Sequence, residues 1–101
     1  MELRAGARLH SATDSTEVAV VAAPSEPVDL RCGGAPMLPL GEDGAAGDPA
    51  PGFDEGTAVG KRYADDATGL EVLCTKAGPG SLSLGDQRLE IKGAKALPSS
   101  D

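Results

Sequence analysis

The sequence predicts an all-β fold of about six to eight short strands, arranged as a small barrel or a sandwich. Three observations support this fold class. Short apolar runs and alternating apolar and polar residues recur along the chain, as expected for half-buried strands. Gly and Pro interrupt every longer window, so apolar residues do not recur at helical spacing for three turns. Clusters of turn-forming residues separate the apolar runs.

The first predicted half, residues 1–38, contains three strands. Residues 3–10 form the first, and the second is 16–22 (TEVAVVA), whose valines favour β-structure. The strand ends at the segment APSEP, because its prolines cannot donate hydrogen bonds to a neighbouring strand. The third strand, 28–32 (VDLRC), alternates between apolar and polar residues, which is typical of a strand with one buried face.

The second predicted half, residues 61–92, is organised in a similar way. A short strand at 61–64 precedes 70–75 (LEVLCT), and alternating stretches at 81–84 and 88–92 flank a Gly-Asp turn, which predicts a hairpin. Alternation and apolar runs in the two halves predict ten inward-facing side chains: Val18, Val20, Val28, Leu30, Leu70, Val72, Leu82, Leu84, Leu89 and Ile91.

The segment between the halves, residues 39–60, is rich in Gly, Pro and Ala, and holds five acidic residues and no basic one. Such a composition buries too little apolar surface to offset the entropy lost on ordering. We therefore expect a mobile loop here and a frayed tail at residues 93–101. The whole chain, 1–101, is expected to form a single small β domain.

An internal duplication is suggested when the chain is aligned with itself. At an offset of 54 residues Val18 aligns with Val72 and Leu30 with Leu84, and the turn-forming residues of the two halves coincide. A few identities also arise by chance when many offsets are tried, so duplication and coincidence both stay open. Two duplicated halves, joined by the acidic loop, would together close a barrel or pack as a sandwich.

The charge of the chain argues against two classes of partner. The formal net charge is −7 and the nine basic residues are scattered, whereas nucleic acids and anionic membranes are bound by clustered Lys and Arg. No signal peptide is recognisable, and no apolar run approaches the length needed to cross a membrane. A cytoplasmic location is expected, where Cys32 and Cys74 would be thiols.

Cys32, Cys74 and His10 are the only candidates for metal or thiol chemistry, and they are weak ones. A closed zinc site needs four ligands, usually in local pairs, and this chain offers three scattered residues. A cysteine inside a strand is commonly a small buried apolar residue. As the alternative, Arg31 beside Cys32 would lower the pKa of the thiol, with His10 as the only imidazole base.

The large apolar residues are few, which bears on function. Leu, Ile, Val and Phe together number nineteen, and Phe53 and Tyr63 are the only aromatic residues. Catalysis usually requires a pocket lined by large apolar groups, whereas sheet edges suffice for recognition. The sequence therefore predicts a non-catalytic accessory or interaction protein that binds a protein partner or self-associates as a homo-oligomer, with no cofactor. The alternative is a small metal- or thiol-dependent protein using the three residues above.

Overall fold

A computed structural model describes residues 2–42, 44 and 47–92, which form β-strands, turns and loops. The described residues contain no helix that could span a membrane. The predicted frayed tail at 93–101 and three residues of the predicted mobile loop lie outside the described residues. The described residues form ten strands: β1 (Arg8–His10), β2 (Glu17–Ala22), β3 (Leu30–Cys32), β4 (Ala35–Pro36), β5 (Leu38–Pro39), β6 (Arg62–Asp65), β7 (Leu70–Lys76), β8 (Leu82–Leu84), β9 (Gln87–Arg88) and β10 (Glu90–Ile91).

Antiparallel pairing assembles these strands into two sheets. One has six strands in the order β10-β6-β7-β2-β1-β5, and the other has four in the order β4-β3-β8-β9. The predicted all-β class is therefore confirmed. The predicted number of strands is too low, because two segments cross from one sheet to the other and contribute a strand to each. The crossings lie at Met37, between β4 and β5, and at Leu89, between β9 and β10.

Inward-facing residues of both sheets build one hydrophobic core. Alternation explains its composition, since every second residue of a strand faces the same side. Nine of the ten predicted inward-facing side chains are buried or packed against this core. The exception is Ile91, which is 37% exposed although it pairs with buried Tyr63 on the neighbouring strand. The buried apolar residues are Leu3, Leu9, Val18, Val20, Leu30, Cys32, Met37, Tyr63, Leu70, Val72, Cys74 and Leu82.

The two halves of the chain occupy equivalent places in both sheets. When β1–β5 are matched in order with β6–β10, each sheet has the same strand order read from either end. The pairing registers agree with this match. Leu9 pairs with Val18 in the first half, and Tyr63 pairs with Val72 in the second, which is an offset of 54 residues for both strands. Strands β2 and β7 pair with each other, and this pairing has one register shift near each end. When β2 is matched with β7, the shift at one end falls on the shift at the other end.

In the later part of each half the offset is 52 residues. Hairpin β3–β4 turns through a two-residue loop that begins at Gly33, and β8–β9 turns through one that begins at Gly85. Both glycines have positive φ, 68° and 57°, which a tight hairpin requires. Leu30 therefore corresponds to Leu82 and not to Leu84, because the connection before β8 is two residues shorter than the one before β3.

The predicted loop begins inside strand β5, at Pro39; its other described residues lie outside the strands, but they are attached to the rest of the molecule. Ala50 N donates to the Gly33 carbonyl at 2.8 Å, and Ser81 N donates to the Phe53 carbonyl at 2.8 Å. Thr57 N donates to a carbonyl of the opposite loop at 2.9 Å. Mobility stays a prediction for this segment, but residues 50–57 are not freely solvated, because three backbone hydrogen bonds fix their path.

Candidate functional site

The structure does not arrange Cys32, Cys74 and His10 as ligands of one ion. Among the described residues, no group of three or more His, Cys, Asp or Glu side chains is placed to hold a metal. His10 lies on β1 with Nε2 at 2.5 Å from the Glu42 carbonyl oxygen and Nδ1 at 3.1 Å from the Ser11 carbonyl oxygen. Its imidazole is thus engaged with backbone and is not directed at either thiol.

Cys32 lacks the properties of a reactive thiol, contrary to the alternative expectation from its neighbour Arg31. The guanidinium of Arg31 pairs with Asp29 at 2.8 Å, and Cys32 itself has 0% exposure. Burial, together with the negative charge of Asp14, raises the pKa of Cys32 to about 11. Both Cys32 and Cys74 are buried free thiols, which agrees with the interpretation of Cys74 as a small core residue.

A polar cluster in the β1–β2 turn escapes sequence analysis, which predicts only a turn there. We call Ser11, Thr13, Asp14 and Thr16 the Asp14 cluster. Asp14 Oδ2 accepts from Ser11 Oγ at 3.1 Å and from Thr13 Oγ1 at 2.7 Å, and Oδ1 accepts from Thr16 N at 2.9 Å and from the Thr16 hydroxyl. Burial alone raises the pKa of Asp14, but these hydrogen bonds outweigh it and hold the pKa below its ordinary value.

The Asp14 cluster is closed by the loop that follows β7. A Cβ atom added at Gly78 or Gly80 would clash with the Asp14 carboxylate, so only glycine permits this approach. A carboxylate whose oxygens already accept several hydrogen bonds has little capacity left for a ligand. We therefore interpret the cluster as a structural lock between the β1–β2 turn and the loop at 78–80.

Open space lies on both sides of residues 87–92, which contain β9, Leu89 and β10. We call this stretch the crossing segment. A groove of about 560 Å³, here called the Ile91 groove, lies on one side and includes Gly56, Tyr63, Ser81, Leu82, Leu89 and Ile91 in its walls. A smaller cleft of about 260 Å³, here called the Asp66 cleft, separates the other side from the end of β6 and the start of the β6–β7 turn, residues 64–67.

Within the part of the chain that the structure describes, each residue of the crossing segment pairs with only one neighbouring strand, which leaves the other side of the segment open. Leu89 N donates to β8 at 2.9 Å, and Lys92 N donates to β6 at 2.7 Å. In an antiparallel ladder the backbone groups of successive residues point to alternate sides. By this alternation the N–H and C=O of Arg88 point to the side of β6, but β6 does not pair with Arg88, so these groups face the Asp66 cleft. The N–H and C=O of Ile91 point to the side of β8, but β8 does not pair with Ile91, so these groups face the Ile91 groove.

The corresponding stretch of the first half, residues 35–40, offers no such donors. At the offset of 52 residues, Arg88 corresponds to Pro36 and Ile91 to Pro39, and proline has no N–H. The connecting segment also packs here, with Gly44 close against Leu38. Proline and covering loops are common means of protecting a sheet edge from pairing with another chain. The first half is therefore protected at the place where the crossing segment is open.

Both cationic side chains of the crossing segment form ion pairs. Arg88 forms an ion pair with Glu55 across the Ile91 groove. Lys92 Nζ lies 2.7 Å from Glu71 Oε1, and Arg62 Nη1 lies 3.3 Å from the other oxygen of the same carboxylate. The hydrogen bond from Lys92 lowers the pKa of Glu71 against the opposing effect of burial, so this carboxylate stays ionised at neutral pH.

Acidic groups outnumber basic ones around the two openings. The walls of the Ile91 groove and the Asp66 cleft carry four carboxylates and two cations. Both cations are already paired, one with Glu55 and the other with the buried Glu71. The formal charges of these six side chains sum to −2, and the walls of the Ile91 groove contain both polar and apolar residues. The carboxylates belong to Glu55, Asp65, Asp66 and Glu90, and the cations to Arg88 and Lys92.

Sequence analysis predicts the crossing segment as an ordinary strand with Ile91 in the core, and so it misses this site. One signal was present in the sequence, namely proline at 36 and 39 against Arg88 and Ile91 in the other half. It becomes visible only when the offset changes from 54 to 52, which the register of the hairpins establishes.

Comparisons of the chain with protein-family models, curated proteins and solved structures give no significant match.

Proposed function

We propose that this chain is a non-catalytic binding protein that recognises an extended polypeptide segment along the crossing segment. This proposal rests mainly on the outward-facing N–H groups of Arg88 and Ile91. The equivalent residues of the first half are prolines, which have no N–H group. Outward-facing backbone groups at a sheet edge can pair with a partner in extended conformation, which then adds a strand. No reaction is involved in this role.

The Ile91 groove is the principal binding position. It is about twice as large as the Asp66 cleft, with volumes of about 560 and 260 Å³. Its walls combine the backbone groups of Ile91 with the apolar side chains of Leu82 and Leu89, and recognition by strand addition needs both features. Backbone hydrogen bonds supply affinity in this mode, and pockets for alternate side chains supply selectivity.

A hetero-partner is favoured over self-association. A second copy would carry the same net charge of −7, so like charges would oppose the approach of two copies. Arg88 and Ile91 also face opposite sides of the crossing segment, so one antiparallel contact between two copies would pair only one of the two residues. The metal- or thiol-dependent alternative gains no support, because both cysteines are buried and the His10 imidazole contacts backbone carbonyl groups, and we do not propose it.

Peptide selection tests this role. A library of random peptides displayed on phage is selected on the immobilised full chain, and selected peptides are then measured against the variant R88P/I91P. This variant copies the prolines of the first half, whose backbone follows the same course. Selected peptides should bind the variant about tenfold more weakly, since one or two backbone hydrogen bonds are lost.

The matched control is R88A/I91V, which changes the same two side chains but keeps both N–H groups. It should lose less affinity than the proline variant, and both variants should show the wild-type circular dichroism spectrum. Equal binding to wild type and to R88P/I91P, or the failure of any peptide to be enriched, would contradict the proposed function.

We also propose that the two halves arose by internal duplication. The matched strand order, the matched registers and the symmetric register shifts between β2 and β7 support this origin. Equivalent halves should tolerate exchange of their order in the chain. A permuted chain, with residues 58–92 placed before residues 2–42 through a Gly/Ser linker, should therefore unfold cooperatively in urea. Non-cooperative unfolding would argue that the halves are not equivalent.

A further inference from the structure

We propose that the ion pair between Arg88 and Glu55 is a reversible latch, which closes the Ile91 groove until a partner strand displaces it. This inference rests on the proposed function and adds the regulation of the same site. Four features of the pair lead to it: its position across the groove, the fixed walls on both sides, its exposure, and its restriction to one half of the molecule.

The ion pair connects two walls of the groove that belong to different parts of the chain. Arg88 lies in β9, where it pairs with Ser83, and Glu55 lies in the segment that connects the two halves. Both residues line the Ile91 groove, and a guanidinium nitrogen of Arg88 contacts a carboxylate oxygen of Glu55. A strand that pairs with Ile91 would run about 4.8 Å from the crossing segment, between these two walls. The ion pair therefore lies in its path.

Hydrogen bonds hold the backbone of both walls, so the latch opens through its two side chains. Ser81 N donates to the Phe53 carbonyl at 2.8 Å, and Glu55 N donates to Ser81 Oγ at 2.9 Å. On the other side, Arg88 is held in the antiparallel pairing of β8 with β9. Exposed side chains change rotamer within nanoseconds, so the pair can separate and form again while the walls stay in place.

The ion pair is weak enough for a partner to open it. The side chains of Arg88 and Glu55 are 45% and 67% exposed, so water and salt screen their attraction. An exposed ion pair of this kind changes an equilibrium by at most about fivefold. A partner strand that forms backbone hydrogen bonds with the crossing segment outweighs this effect. The latch therefore lowers the affinity of every occupant without blocking a well-matched one.

The first half has proline where the second half has the latch. At the offset of 52 residues Arg88 corresponds to Pro36, which protects its edge permanently because it has no N–H. Charged side chains are another means by which proteins protect a sheet edge from pairing with other chains. The ion pair thus belongs to the half that keeps its backbone donors, and its protection is reversible.

A double-mutant cycle tests the latch. Uncharged peptides are selected on the full chain from a library that omits Asp, Glu, Lys and Arg, and their binding is measured by isothermal titration calorimetry in about 50 mM NaCl. Glu55→Ala and Arg88→Ala should each raise the affinity by about two- to fivefold. The double variant should gain no more than either single variant, because the same interaction is removed in all three.

Asp54→Ala is the matched control, since Asp54 is an exposed acidic residue next to Glu55 and lies outside the walls of the groove. It should leave the affinity unchanged. The gain of Glu55→Ala over wild type should shrink at about 500 mM NaCl, because salt weakens the ion pair of the wild type. All variants should keep the wild-type circular dichroism spectrum.

The outcomes separate the latch from the proposed function. If the peptides bind Glu55→Ala no more tightly than wild type, but lose affinity with R88P/I91P, the latch is wrong and the proposed function stands. Weaker binding to Glu55→Ala would mean that the pair supports the bound strand, and additive gains would mean that the two side chains act separately. Both results contradict the latch. If no peptide distinguishes R88P/I91P from wild type, the latch and the proposed function both fail.

Discussion

Cys32 shows how a residue suspected of reactivity can instead be part of the core. Because burial raises the pKa of its thiol to about 11, the reactive thiolate is scarce near neutral pH. We expect iodoacetamide to label Cys32 at about pH 8 at least tenfold more slowly in the folded chain than in urea. Peptide mass spectrometry measures the two rates, and rapid labelling of the folded chain would show that the thiol is accessible.

The same shift predicts how stability changes at high pH. The folded-state pKa of Cys32 lies above its ordinary value of 9.0, so the folded state holds the proton more strongly than the unfolded state does. The resulting contribution to stability is complete below about pH 9 and is lost as the pH rises towards about 11. Cys32→Ala should weaken this alkaline loss in urea titrations, and Asp86→Asn should leave it unchanged.

Asp14 has the opposite pH dependence. Its folded-state pKa is lowered, so its contribution to stability is present above the ordinary value of 3.8 and is lost as the pH falls below it. Asp14→Ala removes the acceptor of several hydroxyl and N–H donors and should reduce the free energy of unfolding at neutral pH by about 2–3 kcal/mol. Urea unfolding measures this loss.

The exposed control Asp86→Ala should change the free energy of unfolding by less than about 0.5 kcal/mol. The difference between wild type and Asp14→Ala should also shrink at about pH 3, where Asp14 is protonated. A difference that persists unchanged at acidic pH would mean that packing, and not the ionised carboxylate, stabilises the turn.

At the scale of elements, the segment that connects the two halves, residues 39–60, is more firmly attached to the rest of the molecule than its composition suggests. Ala50, Phe53 and Thr57 make backbone hydrogen bonds with loops of both sheets. Replacing residues 49–57 with Gly and Ser should therefore lower the melting temperature by about 5 °C or more, if about 1 kcal/mol of packing and ordering is lost. The same replacement at residues 41–48 serves as the control and should have a smaller effect.

Alternation of apolar and polar residues correctly predicts the strands that keep one face on the core. It fails where a segment crosses from one sheet to the other. Of the residues predicted to face inward in β2, β3, β7 and β8, six are buried and Leu84 is partly buried, because each strand keeps one face on the core. Strands β4 and β5 were not predicted, since Pro36 and Pro39 interrupt any alternating pattern. Ile91 fits the pattern and is exposed, because its strand leaves β8 and continues beside β6. A change of partner strand is a tertiary event that no local pattern encodes.

For the whole molecule, ligand binding should have a large effect on stability. A bound partner at a concentration of 100 times its Kd stabilises the folded state by about 2.7 kcal/mol. Domains of this size have only about 5–15 kcal/mol of net stability, so the melting temperature should rise measurably with a selected peptide. R88P/I91P should show no rise. A melting temperature that falls on dilution of the chain without peptide would indicate self-association instead.

If the crossing segment binds a partner strand as proposed, the two prolines of the first half also set the valency of the molecule. A chain with donors at positions 36 and 39, and without the covering loop, would have two equivalent strand-accepting sites on opposite ends of a symmetric fold. Such a bivalent molecule would join partner chains into pairs and longer arrays. With proline at both positions, the proposed site is single. A monovalent binder terminates strand addition, so this protein would cap an exposed edge of its partner and prevent further chains from adding there.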